Sequence, residues 1–226
     1  MNPTIFFSVC SIFYCVLLIV TLYSRREKNT MENKILKILA FVNLGNLFCE
    51  AIGMFLGNNY ESYKLLNDIM LRLMLVFYVV WFSFFMAFVL NVSKQEQKFT
   101  FKKNYPVYIM MIIVSILVAI PAVSLNPVTN KSGVIIYSTG MAVQIDYYYA
   151  MLCEMLSLVI MFKNIKNTKI THYTSLFILI IFSTLAAAIQ SYYPSILLTA
   201  STETFVLYVA YINVRNKQIK KGDNNV

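Results

Sequence analysis

Residues 69–92 read IMLRLMLVFYVVWFSFFMAFVLNV, and the stretch holds a single charged side chain, Arg72. A helix needs about 20 apolar residues to cross a hydrocarbon core roughly 30 Å thick, and this run is long enough. It is continuously apolar rather than alternating, so it does not read as a strand of a membrane barrel. Six further apolar runs flank it, at 4–23, 35–57, 107–125, 147–162, 174–191 and 195–213. The run at 147–162 is the shortest and contains Glu154. Overall, 59% of the chain is hydrophobic, 13% is charged and the mean hydropathy is +0.66. A soluble domain has about 45–50% apolar and about 25% charged residues. Those values exclude an ordinary soluble domain, a disordered chain and a disulfide-stapled secreted module. The expected fold is all-α, a polytopic membrane protein with seven transmembrane helices.

The basic residues sort by side. Sixteen Lys and Arg fall between spans 1 and 2, 3 and 4, 5 and 6, or after span 7, whereas the other links hold only Lys64 and Lys131. This bias places the N-terminus outside and the C-terminus in the cytoplasm. It also accounts for the net charge of +9 without nucleic acid as a partner. The first span is not a cleaved signal peptide, because no Lys or Arg precedes it. The domain plan is one transmembrane unit, 1–213, followed by a basic cytoplasmic tail, 214–226.

Among the outer links, 58–68 reads as a short polar connection. In the link 126–146, the runs 134–137 and 141–145 flank Ser138-Thr139-Gly140, which predicts a small β-hairpin. Pro194 suits the first turn of span 7, and Pro121 marks a kink in span 4. Cys10, Cys15, Cys49 and Cys153 lie inside apolar runs and read as small buried hydrophobes rather than disulfide partners. His172, the only histidine, reads as a solvated loop residue.

Charged side chains at membrane depth are costly and persist where they pair or line a wet cavity. Glu50, Arg72, Glu154 and Glu203 all fall in the outer half of their spans, which predicts an outer polar pocket above a sealed apolar inner half. Asn43, Asn46 and Glu50 share one helical face, and Thr199 and Glu203 share another. Gln190 lies at the same level in span 6, and Asp146 sits at the mouth of span 5. The candidate ligand-binding residues are therefore Asn46, Glu50, Arg72, Glu154, Gln190, Thr199 and Glu203. Arg72 is expected to pair with Glu50 or Glu203. The plainer reading is a set of polar clamps between helices. No catalytic residue, metal site or cofactor is expected: span 7 has no lysine, no Ser–His pair lies in the membrane, and no phosphate-binding glycine loop is present.

Three stretches carry a family resemblance. Phe41-Val42-Asn43-Leu44-Gly45-Asn46 lies in the second span, Tyr137-Ser138-Thr139-Gly140 lies in the long link, and span 7 exits through Tyr211-Ile212-Asn213-Val214-Arg215-Asn216-Lys217-Gln218. The layout resembles the seven-helix N-terminal sensor region of bacterial histidine kinases and GGDEF-type diguanylate cyclases of low-GC bacteria. The resemblance implies ligand sensing relayed through span 7 to a kinase or cyclase domain. Here the chain stops at Val226, so that output domain is expected to be missing or supplied by a cytoplasmic signalling partner. The other expected partners are the lipid bilayer, an unknown small-molecule or lipid ligand, and a second copy in a homodimer. The competing readings are a small proton-coupled transporter and a structural membrane subunit without a ligand.

Overall fold

A computed structural model describes residues 3–24, 31–94, 105–129, 135–164, 170–193 and 198–223. In chain order the elements are α1 (Pro3–Ser24), α2 (Met31–Gly57), α3 (Tyr60–Lys94), α4 (Tyr105–Ala119), β1 (Asn126–Thr129), β2 (Ile135–Thr139), α5 (Met141–Asn164), α6 (Ile170–Tyr192) and α7 (Thr199–Asp223). Each helix grows from one of the apolar runs. Four are long and apolar enough to cross a membrane: Phe6–Ser24, Met31–Gly57, Tyr60–Ser93 and Met141–Asn164. Tyr105–Ala119 and Leu176–Gln190 are shorter apolar helices.

α3 is the axis of the bundle and packs on α2, α4 and α5. Trp81 is fully buried on it, stacked on Phe85 with ring centroids 5.7 Å apart and edge-on to Phe82. α7 lies against α6, α2 and α1. Side chains facing away from the bundle are apolar too. On α5, Tyr148, Met151, Met155, Val159 and Phe162 form an exposed stripe at helical spacing. An exposed apolar wall is the expected surface of a protein whose solvent is lipid rather than water.

Several boundaries differ from the sequence expectation. Span 4 was expected to reach 125, but α4 stops at Ala119. Pro121 disfavours helical backbone at the residue before it, so it ends the helix instead of kinking it. The link 58–68 is mostly helical: Asn58 and Asn59 turn the chain and α3 begins at Tyr60, leaving helical geometry only at Tyr63 (φ −123°, ψ 26°). The fifth run, shortest in the sequence, belongs to a helix of 24 residues. Span 7 was expected to end at 213, but α7 continues to Asp223.

The long link does hold a two-stranded antiparallel ribbon: the expected run 134–137 falls largely on β2, but its partner is β1. β1 pairs with β2 through Asn126–Thr139, Pro127–Ser138 and Val128–Tyr137, and the register then slips so that Thr129 faces Ile135. The run 141–145, expected as the second strand, is instead the start of α5. Gly140 makes the change of direction at φ +119°. A Cβ there would stand 2.5 Å from the Ser124 carbonyl oxygen, so the close approach needs glycine. Ser124 then caps α5: its Oγ accepts from the Met141 N–H at 3.1 Å and its carbonyl from the Ala142 N–H at 3.1 Å. The basic links 25–30, 95–104 and 165–169, the tip 130–134 and Pro194 lie outside the described residues, as does the side chain of His172.

Candidate functional site

Five helices bring polar groups to one interior region. Asn43, Asn46 and Glu50 lie on one face of α2 and are buried, Glu50 to 2% exposure. α7 packs against α2 and presents Glu203, 1% exposed, and Thr204. With its amide oriented so that both ends are satisfied, Asn43 donates to Glu203 Oε2 at 2.9 Å and accepts from Thr204 Oγ1 at 2.8 Å. Ser8 on α1 donates its hydroxyl to Glu50 Oε1. Tyr78 on α3 stands within electrostatic reach of Glu50, Glu203 and Asp146, with Asn46 beside it. Asp146 on α5 is buried, and the charges that act on Glu203 are those of Asp146, Glu50 and Glu154.

The region is rich in acceptors. Glu50 Oε2, Glu203 Oε1 and Asp146 Oδ1 have no hydrogen-bond partner among the described residues, and neither does either end of the Asn46 amide. Each such buried group costs about 1–3 kcal/mol relative to a satisfied one. No three of the described His, Cys, Asp and Glu side chains are grouped to hold a metal ion. All four cysteines are free.

Of the seven candidate residues, Asn46, Glu50 and Glu203 come together here. Arg72 does not pair with Glu50 or Glu203 as expected. Its Nε donates to Asp68 Oδ2 at 3.1 Å, one turn earlier on α3. Its Nη1 reaches the carbonyls of Val118 (3.1 Å) and Ile120 (2.9 Å), and its Nη2 that of Val123 (3.0 Å). The guanidinium therefore closes the end of α4, where carbonyls left without helical partners favour a cation. Glu154 is half-buried at the margin and accepts from Ser183 and, at 3.3 Å, from Thr184, bridging α5 to α6. Gln190 and Thr199 bond each other at 2.7 Å and tie the end of α6 to the start of α7.

Ser8, Tyr78 and Asp146 were not among the candidates. Asp146 was placed at a helix mouth because span 5 was begun at 147; with α5 starting at Met141 it enters the second turn. Ser8 carried a readable signal, since it lies seven residues before Cys15 and fourteen before Leu22 on the buried stripe of α1.

A separate cleft of about 350 Å³ opens between the first turns of α3 and the ribbon, lined by Tyr60, Lys64, Asn67, Asp68, Leu125 and Pro127. None of the seven candidate residues lines it. At the opposite end of the bundle, Asn33, Asn91 and Ser93 are buried, so among the described residues the interior of that half is not wholly apolar. Compared with known proteins, the chain matches no family model and no curated protein.

Proposed function

We propose that the chain is a membrane sensor that takes a ligand at the Glu50–Asp146–Glu203 region and passes the change along α7 to an output partner. In this reading all seven helices cross a bacterial cell membrane, with the N-terminus outside and the basic end of α7 in the cytoplasm. The resemblance to the sensor region of histidine kinases and diguanylate cyclases belongs to the same reading. This chain recognises and relays, and catalysis lies in the output partner. One observation carries it: Glu203 stands in the second turn of α7, and α7 runs as one helix from there to Asp223. At 1.5 Å per residue, a shift felt at Glu203 is delivered about 30 Å away.

The test uses Lys217→Cys carrying an environment-sensitive fluorophore, in a Cys10→Ala background and in lipid nanodiscs. Cys15, Cys49 and Cys153 are buried, so the label reports on α7 alone. A panel of small cationic, neutral and anionic compounds should contain at least one that changes the emission, and Glu203→Gln should abolish that change. Responses unaltered by Glu203→Gln, or none across the panel, would refute the reading.

A carrier is the second reading, favoured by the buried Asn33, Asn91 and Ser93, which place polar groups in the half below the carboxyls. Flux into proteoliposomes that depends on Glu203 would select it over sensing.

A further inference from the structure

We infer that the interior region recognises an organic cation bearing primary ammonium groups, which names the ligand class of the sensor reading and rests on it. The inference begins with the sign of the hydrogen-bonding groups. Three carboxyl oxygens, one each from Glu50, Asp146 and Glu203, are buried without partners among the described residues. All three accept hydrogen bonds when ionised, and an ammonium group offers three donors and no acceptor. A neutral hydroxyl compound matches such a site less well, and an anion meets like charge.

No cation of the chain answers these carboxyls among the described residues. Arg72 is engaged by Asp68 and three carbonyls at the end of α4. Lys34, Lys64, Lys163 and Arg215 are exposed, and the Lys37 ammonium lies over the Tyr23 ring, 4.4 Å from its centroid. A buried carboxylate is stable only when paired or neutralised, and an ammonium partner from outside the chain would supply the pairing.

Asn46 is a second observation, independent of the acids. It is fully buried beside Glu203 and Tyr78, and neither end of its amide makes a well-formed hydrogen bond among the described residues. Its oxygen adds a fourth acceptor to the three carboxyl oxygens. The acids are not grouped tightly enough to share one metal ion. An extended molecule with separate ammonium groups can reach acceptors on α2, α5 and α7, where a single ion cannot.

A charge series tests this with 1,4-diaminobutane, 1,4-butanediol and succinate, alike in chain length and different in end-group charge. Sodium chloride at matched ionic strength is the fourth arm. Binding is read as the shift in unfolding temperature of the purified chain in nanodiscs. The diamine should stabilise the wild type by several degrees in a saturable manner, and the other three should not. Glu203→Gln and Asp146→Asn should each weaken the diamine at least tenfold, and Asn46→Ala supplies a third variant should either acid variant fold poorly. Equal shifts from the diol or succinate, a diamine shift no larger than that of sodium chloride, or a diamine response untouched in every folded variant would overturn the inference. The fluorophore at Lys217→Cys separates the two claims. Diamine binding that leaves it silent retains the ligand class and removes the relay. A relay answering only to neutral or anionic compounds does the reverse.

Discussion

Arg72 and Asp68 face each other one turn apart on α3, with 3.1 Å between Nε and Oδ2, and the rest of the guanidinium is spent on the end of α4. Among the described residues Arg72 is the one buried guanidinium, and it is thus a fastener between α3 and α4. This leaves the carboxyls of α2, α5 and α7 without an internal counter-charge among the described residues.

Arg72→Met should therefore loosen α4 rather than disturb Glu203. Hydrogen bonds from a charged donor contribute about 1.5–3 kcal/mol, and a loss of that order is expected in unfolding measurements. Double-mutant cycles check the partner. Arg72 with Asp68→Asn should couple by about 0.5 kcal/mol, a part-exposed pair being weak, whereas Arg72 with Glu203→Gln should be additive.

Ser8→Ala removes the hydroxyl that serves Glu50. Leaving a buried acceptor unsatisfied costs about 1–3 kcal/mol. The unfolding temperature should fall, and Ser8→Thr should restore part of it. No loss in Ser8→Ala would show that the α1–α2 contact does not depend on this bond.

Gly140→Ala puts a side chain at φ +119°, with its Cβ against the Ser124 carbonyl. Strain of this kind costs about 1–3 kcal/mol. Amide exchange should quicken in the first turn of α5 while α1 and α2 stay protected.

Gly45→Leu forces α2 away from α3, because even a Cβ at this position would lie 2.7 Å from the Phe77 ring. Overpacking costs about 1–3 kcal/mol. Phe77→Ala in the same chain should recover most of the unfolding temperature; failure to recover would place the clash elsewhere.

The helices were legible because unbroken apolar runs leave the backbone few alternatives in lipid. The Asn43–Asn46–Glu50 face was legible because a period of 3.6 residues determines who shares a side of α2. Arg72's partners were not, because three of its four bonds go to backbone carbonyls, which every residue carries and no pattern marks. Nor was the identity of the second strand. Met141–Ile145 is apolar and short, and such a run reads equally as strand or helix until the Ser124 cap is seen. Asp146 moved into the interior for the same reason, when the helix behind it proved longer.

The cap from Ser124 joins the β1–β2 ribbon to α5 as one mechanical piece, with Asp146 only a few residues along it. An antibody fragment clasping that ribbon would thus hold a handle on the buried acid itself. Tugging or bracing the handle should shift Asp146 relative to Glu50 and Glu203, with no contact between the antibody and those carboxyls.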